Sequence, residues 1–271
     1  MSSVQVSPFV KQLASNNRKV RENALDSLKK YMATKKFMSN SQIQFDQLWK
    51  GLYYSMWFSD RPRPQQRLSN ELGELYLLYL GNKDVQLSDK AFIRFSKAFW
   101  KVICLEWYSI DHHRLDKYLL LMRRVLYNQL KYLREREWDD VLVDKYVINV
   151  LGKLPLSGDR KVYNGIPFHI IDIFVDEWEK LVLRNGKEAD EVEDNDIDDE
   201  TEIELISQTP LPKFIALLQS LSSDITNIKV LREKIKEDVL ADPRLYKWGV
   251  LTEKDNENHE DEVEEEEWKG F

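Results

Sequence analysis

The sequence predicts an all-α fold, a HEAT/armadillo-like helical repeat (α-solenoid), and three observations carry that prediction. No stretch alternates apolar and polar residues with period two, whereas apolar stripes at i, i+3, i+4 and i+7 recur along the chain. Only 8 Pro and 9 Gly punctuate 271 residues, which disfavours a loop-rich or all-β chain. There is also an internal echo. Leu48-Trp49-Lys50-Gly51-Leu52 returns as Phe99-Trp100-Lys101-Val102-Ile103, Trp57-Phe58-Ser59-Asp60 as Trp107-Tyr108-Ser109-Ile110-Asp111, and Arg67-Leu68 as Arg114-Leu115. The repeated unit is a helix, a capped corner and a second helix, slightly longer than the ~40–47 residues of HEAT or armadillo units.

Ser7 and Pro8 open a short first helix bearing Phe9, Val10 and Leu13. Asn16 or Asn17 caps the second, with Val20, Ala24, Leu25 and Leu28 on one face. The third runs roughly from 42 to 58 and carries Trp49, Leu52, Tyr53, Met56 and Trp57. It ends on Arg61-Pro62-Arg63-Pro64, whose prolines suit only the first turn of a fourth helix over about 62–80. Ser88 is the expected cap of the fifth, striped by Phe92, Phe95, Phe99, Val102 and Ile103. Asp111 caps the sixth, with Leu115, Tyr118, Leu119, Met122, Val125, Leu126, Leu130 and Leu133 as its apolar face. A seventh near 138–153 stops before Pro155, and an eighth begins at Pro167 with Ile171, Phe174, Val175 and Trp178 inward. Beyond Pro210 and Pro212 two further helices carry Phe214, Leu217, Leu218 and Leu221, then Ile228, Leu231, Ile235 and Val239.

Charge divides the chain. Residues 1–184 hold 30 Lys/Arg against 21 Asp/Glu, residues 185–204 hold 1 against 11, and residues 252–271 hold 2 against 10. The expected organisation is a helical-repeat domain over 1–184 and an acidic disordered linker over 185–206. C-terminal helices over 207–251 dock on the main body, and an acidic disordered tail over 252–271 carries Trp268 and Phe271. A basic body with acidic segments suits work among polyanions and basic partners. No apolar run of ~18 residues predicts a membrane span, no secretory signal is expected at the N-terminus, and a single cysteine excludes a disulfide framework.

Chemistry finds little support. His112, His113, His169 and His259 lack metal-ligand spacing, and Cys104 alone cannot build a thiolate site. Phosphate-binding glycine loops and nucleophile elbows are absent. Asp139 and Asp140 read as complements to a helix dipole. The expectation is a protein that is not an enzyme and uses no cofactor, metal or small-molecule substrate.

Surface binding is the alternative. Arg61 and Arg63 at the corner, with Gln65, Gln66 and Arg67 just beyond, could meet carboxylate or phosphate; a solvated corner is the plain reading. On the sixth helix Arg114, Lys117, Arg124 and Lys131 project opposite the apolar stripe, with Arg123 flanking, as a basic ridge suited to phosphate contacts. An ordinary solvated face is the competing account. Trp49, Trp57, Trp100, Trp107 and Trp178 read as packing, with Trp57 the least secure of them.

These stretches carry a resemblance. Phe9-Val10-Lys11-Gln12-Leu13 with NNRKVRENAL, LWKGLYYSMWFSDRPRPQQRLSNELGEL, FWKVICLEWYSIDHHRLDKYLLLMRRVL and VYNGIPFHIIDIFVDEW together resemble the eukaryotic nucleolar ribosomal RNA processing protein 1 family. The likeness spans most of residues 9–182 and is to a compact, fungal-type member; properties tied to the lysine-rich C-terminal extensions of animal members are not carried over. The resemblance implies a nucleolar scaffold of early pre-60S particles, needed for maturation of the large-subunit rRNAs. It also implies neighbours that include a WD-repeat propeller and Brix-domain proteins, with pre-rRNA phosphate as a second contact. It supplies no catalytic residues. The rival functions are a helical adaptor in nuclear transport or chromatin, and a pre-rRNA nuclease.

Overall fold

A computed structural model describes residues 8–13, 15, 17–184, 186–187 and 198–252, without the side chains of 8–10. Ser7, Asn16, the tail over 253–271 and the linker positions 185 and 188–197 lie outside the described residues. Among the described residues there are helices and turns but no strand, as the sequence predicts. None of these helices is long and apolar enough to cross a membrane.

By contact the chain divides after Pro155 into two compact units. The first holds α1 (Pro8–Leu13), α2 (Arg18–Met32), α3 (Lys35–Met38), α4 (Gln42–Trp57), α5 (Pro62–Glu74), α6 (Val85–Glu106), α7 (His112–Glu135) and α8 (Asp140–Tyr146). The second holds α9 (Gly165–Val182), α10 (Asp199–Ser207), α11 (Leu211–Ser223), α12 (Lys229–Ile235) and α13 (Pro243–Lys247). The sequence groups α9 with the preceding helices; its contacts group it with α12 and the turns that follow.

In the first unit the echo becomes a stack of two hairpins. α4 packs chiefly on α6 and α5 on α7, first helix on first and second on second. The echoed Trp49 and Trp100 are both fully buried, and Trp49 lies 4.9 Å from the Phe95 ring and 4.8 Å from Phe99. Asp84 rather than Ser88 caps α6, accepting from the Leu87 amide at 3.1 Å, so the helix begins a turn early and Ser88 is buried. Beyond α5 the chain tightens into a 3-10 stretch, Leu75–Gly81, that buries Leu75, Tyr76 and Tyr79. Gln129 ties three helices together. Its Oε1 accepts from Trp100 Nε1 at 3.0 Å and from the Tyr146 hydroxyl at 2.6 Å.

The second unit centres on Phe174, Trp178 and Phe214, with ring centroids 5.0–5.7 Å apart. Arg244 binds Asp242, Glu179 and Asp176 at 2.7, 2.6 and 3.0 Å. One expectation is corrected here: residues 199–206, assigned to a disordered linker, are helical. Asp198 caps them through the Thr201 amide at 2.9 Å, and Ile206 is buried. Lys247 pairs with Asp199 at 2.8 Å, and the Trp248 indole donates to Glu202 at 2.6 Å. Dense acidity at a helix start complements the dipole, and these partners absorb what repulsion remains.

Candidate interaction surface at the helix corners

The α4–α5 corner is held from below by a lysine of the next hairpin. Lys117 on α7 is buried, 5% exposed, and its Nζ donates to the Trp57 and Ser59 carbonyls at 2.8 and 2.9 Å. Those carbonyls stand at the carboxyl end of α4, where a cation opposes the helix dipole. Asp60 lies 4.0 Å away, and desolvation holds the Lys117 ammonium below its ordinary range. Gln65 Nε2 also donates to the Ser59 carbonyl, at 2.9 Å, so the first turn of α5 folds back onto the corner. Tyr118 stacks on Tyr53 at 4.6 Å and donates its hydroxyl to the Tyr53 carbonyl at 3.0 Å.

The second corner joins the first. Arg114 sits 4.4 Å from the Trp57 ring centroid while pairing with its own helix cap, Asp111. On the other side, Lys50 reaches Glu106 at 3.2 Å. Trp107 is buried, and Trp57 is half-buried beneath the guanidinium.

Outside this framework the surface changes character. Arg61, Arg63, Gln66 and Arg67 are exposed on the first turns of α5, and Pro62 at the first helical position fixes the chain between the first two arginines. Phe58 is 46% exposed, Leu105 67% and Tyr108 67%. Arginine beside exposed aromatic side chains is the composition of protein-interface hot spots. The sequence reading did not single out Phe58, Leu105 or Tyr108. A signal for two of them was present, because Phe58 and Tyr108 occupy equivalent places in the echo, each following a tryptophan that packs inward.

The basic ridge on the sixth predicted helix, α7, is corrected. Lys117 is internal, and Arg114, Arg123, Arg124 and Lys131 are half-buried. The cause is α5, which lies along this side of α7. A Cβ added at Gly73 would meet the Arg124 carbonyl oxygen and Asn128 Nδ2, each at 2.8 Å. Thus Trp57, Gln65, Arg114 and Lys117 meet within the corner, Arg61, Arg63, Gln66 and Arg67 face solvent beside it, and Arg123, Arg124 and Lys131 belong to the α7 flank.

Burial pushes the Cys104 thiol up to about 12, away from thiolate chemistry at neutral pH. Asp139 accepts from the Leu142 amide at 2.8 Å as the cap of α8. Among the described residues no cluster of His, Cys, Asp and Glu has metal-binding form.

A family model described as "Nucleolar protein, Nop52" matches residues 4–270. The human "Ribosomal RNA processing protein 1 homolog B" is 33% identical over 183 residues, covering 66% of this chain and 23% of its own length. The mouse homolog A is 32% identical over 176 residues, 64% of this chain and 34% of its own. The Drosophila melanogaster homolog is 30% identical over 181 residues, 66% and 25% respectively. The chain therefore spans well under half the length of these relatives. With a match running almost from end to end and relatives across animals, the chain belongs to the Nop52 family of nucleolar proteins.

Proposed function

We propose that this chain is a non-enzymatic assembly scaffold of nucleolar pre-60S particles, required for pre-rRNA processing toward the large-subunit rRNAs. Relatives that bear the name ribosomal RNA processing protein 1 support the rRNA-processing part of this reading. The observation that carries the scaffold part is the corner face, where Arg61, Arg63, Phe58 and Tyr108 stand exposed on a base stapled by Lys117. A rigid base matters because ordering mobile side chains at an interface costs affinity. The partners are neighbouring assembly factors, including a WD-repeat propeller and Brix-domain proteins, with pre-rRNA phosphate as a second contact.

Two paired variants test this in cells. Arg61→Glu with Arg63→Glu removes the cations, and Phe58→Ser with Tyr108→Ser removes the exposed rings. Both should keep native circular dichroism yet leave the precursor large-subunit fractions of a sucrose gradient, with precursor rRNA accumulating. Retention of both folded variants on the particles would refute the corner as the interface. Metal-dependent cleavage of precursor rRNA by the purified chain, lost in Asp139→Asn with Asp140→Asn, would refute the non-enzymatic reading.

A further inference from the structure

A second surface of the first unit is built differently. The first half of α6 faces the α7–α8 turn and α8 across a cleft of ≈ 790 Å³. Val85, Ile93 and Val141 supply apolar wall, with Val85 42% and Val141 58% exposed. Lys90, Lys97 and Lys145 line the same cleft.

Both carboxylates of the cleft are already committed. Asp89 accepts from the Tyr132 hydroxyl at 2.8 Å and from Arg136 Nε at 3.0 Å, while Asp139 caps α8. Arg94 is held as well, donating to the Asn40 carbonyl at 2.9 Å. The three lysines have no ion-pair partner among the described residues. Desolvation, and then the charge of Lys153, hold the Lys97 ammonium below its ordinary range. A positive cleft of this kind with an apolar wall has an unmet preference for carboxylates carried on an apolar backing.

We infer that this cleft is a docking groove for an acidic amphipathic helix of a partner protein, whose carboxylates meet Lys90, Lys97 and Lys145 while its apolar side chains cover Val85, Ile93 and Val141. The spacing fits: Lys90 and Lys97 are seven residues apart on α6, so they lie about 10.5 Å apart along the axis, close to two helical turns. Carboxylates seven residues apart on a second helix match that interval, and the apolar stripe between them is the usual anchor of helix-in-groove recognition. A nucleic-acid strand fits less well, because no aromatic ring lines the cleft to stack a base and the aliphatic wall offers nothing to a phosphate. This inference is independent of the corner face.

Fluorescence anisotropy on the purified full chain tests it. The probe is a fluorescein-labelled Glu/Leu peptide of about 18 residues, with Leu at i, i+3, i+4 and i+7. Polyglutamate and an oligouridylate of equal charge are the comparisons. The Glu/Leu peptide should bind tightest, losing about tenfold in affinity with Lys90→Glu plus Lys145→Glu and about fivefold with Val141→Ser. Arg61→Glu with Arg63→Glu should leave that binding intact, so the corner and the cleft fail or succeed separately. If charge reversal disturbs folding by circular dichroism, Lys90→Gln with Lys145→Gln takes its place. Equal binding of polyglutamate or oligouridylate, indifferent to Val141→Ser, would make the cleft a plain anion surface and overturn the inference. Peptide binding unmoved by every cleft variant, or no binding at all, would overturn it too.

Discussion

Lys117→Met separates the internal staple from an ordinary surface lysine. Methionine keeps the aliphatic stem in place and removes the ammonium that donates to the Trp57 and Ser59 carbonyls. The Ser59 carbonyl keeps Gln65 as a donor, so the Trp57 carbonyl is the group left without its charged partner. Orphaning this partly buried acceptor costs about 1–2 kcal/mol, and losing a cation at a helix carboxyl end adds roughly 0.3–1 kcal/mol. Release of a poorly solvated ammonium offsets part of this. The net expectation is a loss of about 2 kcal/mol, which lowers the melting temperature by about 4–8 °C in a chain of this size. Urea titration followed by circular dichroism at neutral pH, with an unchanged m value, measures it. Sign follows from linkage. The native ammonium value is lowered below 10.5, so the unfolded chain holds more protons between the two values. Wild-type stability from this residue therefore rises with pH through that window, and the gap to Lys117→Met widens there. A loss under about 0.5 kcal/mol, typical of an exposed site, would refute the staple.

Gly73→Ala should destabilise by about 1–2 kcal/mol, since overpacking against the Arg124 carbonyl outweighs the ~1 kcal/mol gain in helix propensity. Gly81→Ala, which meets nothing within 4 Å, should be neutral by the same urea titration and serves as its control. Burial raises the hydroxyls of Tyr53, Tyr76, Tyr79, Tyr118, Tyr132 and Tyr146 above their ordinary value of 10.0. Each thus contributes stability that is present below pH 10 and lost above it, at about 1.4 kcal/mol per pH unit. Tyrosinate absorbance and circular dichroism should change together in one steep step above pH 10. Ionisation of all 12 tyrosines near pH 10 with native dichroism retained would contradict this burial.

The apolar stripes and the echo made the two-hairpin stack legible in advance, because large side chains at helical spacing leave a pattern that survives without coordinates. The α5–α7 interface left none. There Gly73 comes close to the Arg124 backbone and Asn128 while Ser69 is buried, and a hydrophobic wheel does not register contacts made by small or polar groups. For the same reason Lys117 counted as a solvent-facing residue, although a lysine whose ammonium meets two carbonyls can be fully internal. Helix α10 was hidden by its acidity, since its stabilising partners Lys247 and Trp248 lie over forty residues away in sequence. Arg61 and Arg63 were legible as exposed cations and the echo marked Phe58 and Tyr108, whereas the exposure of Leu105 shows only in the folded chain.

The pairing of like helices across hairpins also sets an order for synthesis. Tyr53 meets Tyr118, Ser59 meets Lys117 and Gly73 meets Arg124, contacts that close loops of 50 to 65 residues. When α4 and α5 leave the ribosome their principal packing partners have not been made. The apolar faces of Trp49, Leu52, Leu68 and Leu72 stay uncovered until α6 and α7 emerge. Non-local closure of this kind slows folding and leaves a nascent chain exposed to aggregation. The chain thus has its own interval of dependence on whatever shields an emerging chain, and that interval ends only as the last turns of α7 emerge.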